Sequence, residues 1–121
     1  MLNVVIENVG ELRVLHLRGR IVSGVPIETL RKVVFAQESA SAVILDLAWV
    51  DLIDAGGLGA LLEIRMRAQS RGIEFKLMNV TRRVKDVLEI TRLDSVFEFA
   101  SREEIQAIAG RDQESEMMVA N

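Results

Sequence analysis

Cysteine and tyrosine are missing from this 121-residue chain, and tryptophan occurs once. Without cysteine there is no disulfide and no thiolate chemistry, so the fold must rest on its core. Half the residues are apolar. A single domain of this size hides roughly two-thirds of its unfolded surface, which is enough for a core without staples. No stretch approaches the roughly 18 apolar residues of a membrane span. Met1–Glu7 carries no basic segment, and its apolar run is too short for a secretory signal. A soluble, cytoplasmic protein is expected. One Trp and four Phe leave few platforms on which bases could stack.

Charge is unevenly placed. From Ser101 onward Arg102 and Arg111 face Glu103, Glu104, Asp112, Glu114 and Glu116, so the whole net charge of −3 lies there. The balanced body lacks the basic face that nucleic-acid binding needs, and no nucleic-acid partner is expected.

Apolar periodicity predicts strands at residues 2–8 and 12–18, turned by Gly10-Glu11, then a loop at 19–24. Pro26 suits the first turn of a helix carrying Ile27, Leu30, Val33 and Val34 to about Gln37. Val43–Leu47 is nearly all apolar, as in a central strand covered on both faces. A helix follows from about Gly57 to Ser70, closed by Arg71-Gly72. Next come a strand at 73–78 and a helix capped by Thr81 with Val84, Val87 and Leu88 on its inner face. A short strand at 96–99 leads to the capping box Ser101–Glu104 and a last helix. The order β-β-α-β-α-β-α-β-α predicts an α/β fold with a largely parallel sheet and an antiparallel edge from the opening hairpin. Residues 1–110 form the domain, and 111–121 read as a polar C-terminal tail.

The most informative stretch is Val43–Gly59. A strand passes through Asp54-Ala55-Gly56-Gly57 into the helical pattern Leu58, Leu61, Leu62, Met66. The free N–H groups of a helix start form a small electropositive site. Here the start holds one acid and no hydroxyl.

Leu45-Asp46-Leu47, the run Asp54 to Leu62, the run Val80 to Leu88 and Thr91 to Phe97 together resemble a STAS domain over about residues 4–109. This is the module of sulfate transporters and anti-sigma factor antagonists. The resemblance implies a small mixed β-sheet of about five strands, with four helices packed mainly on one side. It also implies a non-enzymatic regulatory protein without a cofactor, binding an anti-sigma factor that is a serine kinase, or a scaffold. The implied contact is Asp54, Ala55, Gly56, Gly57, Leu58, Gly59, Leu61 and Leu62. In the antagonist branch the kinase phosphorylates a serine in an Asp-Ser-Ser-Gly-type motif, and the dianion breaks the contact. Aligning Asp54 with that acid puts Ala55 and Gly56 at the hydroxyl positions, Gly56 at the acceptor itself. The usual switch is therefore missing, and constitutive binding is expected.

Other residues have plainer readings. Asp54 caps the helix and also serves as a partner contact. Gly56, Gly57 and Gly59 lack the P-loop ending and the dinucleotide spacing, so they read as a tight turn with close packing. Asp46 ends a buried strand and must find hydrogen bonds. His16 alternates with Leu12 and Val14 and reads as packed, not catalytic. Trp49 reads either as packing beneath the loop before Asp54, the favoured reading, or as an exposed anchor for a partner. Arg65, Arg67, Arg71, Arg82, Arg83 and Lys85 read first as a solvated face and second as a contact for an acidic partner. Ser23, Thr81 and Thr91 are hydroxyls with no local signal favouring one. No metal site or nucleophile–base pair is apparent. Two alternatives stand beside the leading one: a STAS subunit of an ABC-type membrane transporter, without direct membrane insertion, and a nucleotide-binding module at the glycine turn. A homodimer through an edge strand or helix face stays open.

Overall fold

Gly10 sits at φ 60°, a conformation that costs glycine nothing, and reverses the chain between the first two strands. The computed structural model of the protein describes residues 1–111 and 115–120. Its elements are β1 (Leu2–Val9), β2 (Leu12–Ile21), α1 (Val25–Phe35), β3 (Ala42–Ile53) and α2 (Ala55–Ser70), followed by β4 (Glu74–Met78), α3 (Arg82–Ile90), β5 (Glu98–Ala100), α4 (Arg102–Arg111) and β6 (Ser115–Ala120). The sheet order is β5-β4-β3-β2-β1-β6. β1 is antiparallel to β2 and β6, while the β2–β3, β3–β4 and β4–β5 pairs are parallel.

Alternation along the strands divides the apolar residues between two faces. Leu15 and Leu17, Val43, Leu45 and Leu47, and Phe75 and Leu77 point to one face. There they meet Leu30 and Val33 of α1, Leu61 and Ile64 of α2, and Val84 and Leu88 of α3. Val14, Ile44, Met78 and Ala100 point to the other face, beneath Ile105 and Ile108 of α4. Three helices thus cover one side and α4 the other. Leu45, Leu61, Ile64 and Leu88 have no solvent exposure, and each such burial contributes about 1.5–3 kcal/mol. The capping box forms as read, with the Glu104 N–H donating to Ser101 Oγ at 3.1 Å. No helix among the described residues is long and apolar enough to cross a membrane.

Three expectations change. β2 continues through residues 19–21, which read as loop, and β3 runs six residues past Leu47. The cause is mutual: the parallel pairing of β2 with β3 extends to Ile21↔Ile53 by absorbing two register shifts. The third change is at the chain's end. Within the expected tail, Ser115–Ala120 form β6 against Val4–Val9 of β1. An exposed strand edge offers unpaired N–H and C=O groups, and Ser115–Ala120, which holds Met117, Met118 and Val119, is the apolar part of that tail. The sheet of about five strands therefore has a sixth, and the hairpin is no longer its edge. Residues 112–114 and 121 of that tail lie outside the described residues.

Candidate partner-docking site

The sharp passage from β3 to α2 is made by Asp54. Its backbone is extended (φ −105°, ψ −177°), which frees its side chain to reach forward over the first turn. Oδ1 accepts the Gly57 N–H at 2.7 Å, and Oδ2 accepts the Ser23 N–H at 3.2 Å. The Gly57 bond, then the Ser23 bond, hold the Asp54 carboxyl below the usual carboxylate range. One acid thus caps α2 and pins the short β2–α1 loop to it.

Close packing accounts for the two glycines that follow. A Cβ on Gly57 would run into the Ile21 carbonyl oxygen and lie 2.9 Å from Ile53 Cγ1, so only glycine lets α2 approach the end of β2. A Cβ on Gly56 would overlap the Ser23 hydroxyl and come within 3.2 Å of its Cβ and 3.4 Å of Asp54 Oδ1. Gly59 is unlike them: nothing lies within 4 Å of a Cβ built there.

The stretch Asp54–Leu62 is divided by burial. Ala55 and Gly59 are exposed, and Asp54, Gly56 and Leu62 are partly so. Gly57 is buried, as are Leu58 and Leu61, which pack into the core. Leu58 and Leu61 thus turn their side chains inward, and Gly57 has none to offer. The reachable part is Asp54, Ala55, Gly56, Gly59 and Leu62.

Trp49 is not packed beneath this turn; it is 72% exposed. It lines an open groove of about 510 Å³ with Arg18, Asp51, Thr81, Arg82 and Arg83. Thr81 lines the same groove. Its Oγ1 accepts the Val84 N–H at 3.4 Å, capping α3, and donates to the Val50 carbonyl at 3.3 Å.

A second polar cluster lies on the α4 side of the sheet. His16 Nδ1 is 2.6 Å from Asp46 Oδ2, and Nε2 is 2.8 Å from Glu7 Oε1. Asp46 Oδ1 accepts the Asn79 side-chain amide at 3.0 Å and the Ala48 N–H at 3.1 Å. The Asp46 bond raises the His16 imidazole above its ordinary value; burial opposes this and Glu7 adds to it. Burial pushes the Asp46 carboxyl up, but the His16, Asn79 and Ala48 bonds outweigh it and leave it lowered. The expectation that Asp46 finds hydrogen bonds thus holds, while His16, expected to pack, is partly exposed and paired with two carboxylates. Their pairing was not foreseen. Its one sequence signal is positional: two polar residues near the middle of neighbouring strands, directly in register as His16↔Asp46. Among the described residues no group of His, Asp or Glu is arranged to hold a metal ion.

Comparison with known proteins extends this picture. The STAS domain model matches residues 3–105. Comparison with the curated proteins finds no match for the chain. Among solved structures, an anti-sigma factor antagonist from Mycobacterium paratuberculosis is 19% identical with a TM-score of 0.74, over 93% of this chain and 96% of that one. A sulfate transporter family protein from Wolinella succinogenes is 23% identical with a TM-score of 0.69, covering 84% and 87%. The antagonist SpoIIAA in its unphosphorylated form is 20% identical with a TM-score of 0.69, covering 87% and 95%. The Bacillus SpoIIAA in its phosphorylated form is also 20% identical, with a TM-score of 0.59, covering 78% and 86%. At these identities the likenesses show the fold and nothing finer. With the family model spanning most of its length and the mixed sheet and four helices in place, the chain belongs to the STAS domain family.

Proposed function

We propose that this protein is a non-enzymatic regulatory module of the anti-sigma factor antagonist kind, binding a protein partner at the start of α2. The observation that carries this is a helix start held rigid from both sides yet open to solvent. Asp54 fixes it to the Ser23 loop, Gly57 seats it against Ile21, and Ala55, Gly59 and the edge of Leu62 face outward. A preformed surface loses little conformational entropy on docking. SpoIIAA exists in phosphorylated and unphosphorylated forms, and by that likeness the partner is a serine kinase that acts as an anti-sigma factor. Activity of its own is not part of this reading. The one histidine has a carboxylate on each ring nitrogen and activates no nucleophile.

The test is titration calorimetry of the full chain with the anti-sigma kinase of the same genome. Ala55→Arg, at an exposed position, lowers affinity at least tenfold while the melting temperature stays within about 2 °C, the shift of a change well under 1 kcal/mol. Unchanged affinity overturns the assignment of the surface.

A second reading is a STAS subunit of an ABC-type membrane transporter, favoured by the likeness to a sulfate transporter family protein from Wolinella. Co-purification with an integral membrane transporter from detergent-solubilised membranes supports it. Recovery with the kinase alone removes it.

A further inference from the structure

The start of α2 has no hydroxyl of its own from Asp54 to Leu62. The fold supplies one from elsewhere. Ser23, in the loop between β2 and α1, is exposed, and its hydroxyl stands where a side chain on Gly56 would begin. Its N–H donates to Asp54 Oδ2 at 3.2 Å, which sets its hydroxyl beside the first turn of α2. The loop is short, with β2 ending at Ile21 and α1 beginning at Val25, so the serine is held against the helix start by its backbone. Thr81 and Thr91 do not share this position. Thr81 Oγ1 is committed to the Val50 carbonyl and the Val84 N–H, and Thr91 Oγ1 to carbonyls of its own helix.

We propose that Ser23 is the phosphorylation site of this protein, placing on the β2–α1 loop the hydroxyl that position 56 lacks. This rests on the docking surface and kinase partner proposed above, and it replaces constitutive binding with a reversible contact. In the reaction Ser23 Oγ attacks the γ-phosphorus of ATP bound to the kinase. The Oγ–P bond forms, the bond from that phosphorus to the β–γ bridging oxygen breaks, ADP leaves with the electron pair, and the hydroxyl proton passes to solvent. The product is a phosphomonoester of nearly two negative charges at neutral pH, set against the Asp54 carboxylate. Like-charge repulsion then opposes the bond that ties the loop to Asp54, and the outward face of the helix start changes from one negative charge to about three. A partner matched to the unmodified surface is released.

Two measurements on the full chain test this. In the first, the anti-sigma kinase of the same genome is mixed with the protein and Mg-ATP, and phosphate is located by tandem mass spectrometry. The expected result is phosphate on Ser23 and none on the Ser23→Ala variant, which still binds the kinase. Binding with phosphate elsewhere, or with none, overturns the Ser23 proposal and leaves the docking surface standing; absence of binding overturns the docking surface instead. The second measurement needs no kinase. Phosphoserine is placed at position 23 by codon reassignment, and the Asp54 carboxyl is titrated by carbon-13 NMR. Its pKa rises by about one unit beside the phosphate, which carries about one negative charge in the acid range where Asp54 titrates, a tenfold change in proton affinity. An unchanged Asp54 titration would mean that the phosphate stands clear of α2, and the proposal fails.

Discussion

His16 is the only side chain of this protein whose ordinary pKa lies between pH 5 and 9, since the chain has one histidine and no cysteine. Replacing it with glutamine therefore isolates a single proton. In the folded state Asp46 and Glu7 raise the imidazole above its ordinary 6.5, against the pull of burial. The sign follows from linkage. A group with a raised folded pKa contributes stability that is complete below 6.5 and is lost as pH climbs through the folded value. Asp46 works at the other end: its lowered carboxyl contributes above the ordinary 3.8 and loses that contribution as pH falls through the folded value. The cluster is at full strength between those two ordinary values. A hydrogen bond to a charged partner contributes about 1.5–3 kcal/mol. His16 makes two, at 2.6 and 2.8 Å, with its side chain 30% exposed. They are coupled and partly wet, so their joint contribution is about 2–3 kcal/mol, not the simple sum. Urea unfolding from pH 5 to 9 reads it. The wild type loses stability on the alkaline side with a slope no steeper than about 1.4 kcal/mol per pH unit. His16→Gln is about 2–3 kcal/mol weaker near pH 6 by the same reasoning, and its slope is flat. A variant that kept the wild-type slope would refute the assignment of that proton to His16.

Four further substitutions have outcomes set by the same structure. Gly57→Ala must push α2 away from the Ile21 carbonyl and costs about 1–3 kcal/mol in urea unfolding. Gly59→Ala meets open space inside a helix and instead stabilises by about 0.5–1 kcal/mol. Thr81→Ala removes the cap of α3 and its tie to Val50, lowering stability by about 1 kcal/mol. Trp49→Ala changes stability by less than about 0.5 kcal/mol, because the indole is 72% exposed. The wild-type emission maximum lies close to that of tryptophan in water; a blue-shifted maximum would contradict that exposure.

Periodicity made the element order legible, because each helix shows its core face at residues such as Leu30 and Val33, or Val84 and Leu88. The caps were equally plain: Asp54, Thr81 and Ser101 each accept the N–H three residues on. The extension of β2 and β3 to Ile21 and Ile53 was not legible. It depends on two strands holding each other through register shifts, and no local propensity records that. The same limit hid the cluster of Glu7, His16 and Asp46, whose members stand on three strands. Trp49 was misread because size and apolarity favour burial, while an outward position on an overhanging strand overrides both. At the site, the acid and the glycines could be read from their order. The role of Ser23 could not, for it lies 31 residues from Asp54 in sequence.

β6 bears on self-association. By pairing along Val4–Val9 it occupies the flank of the sheet where a second molecule could otherwise add a strand. The opposite flank, β5, is three residues long and gives an incoming strand little to grip. Two copies seeking a strand-to-strand union would therefore have to trade their terminal segments, each lending Ser115–Ala120 to its neighbour. Cutting the chain before Ser115 would bare that flank in every copy and open it to a strand from another copy.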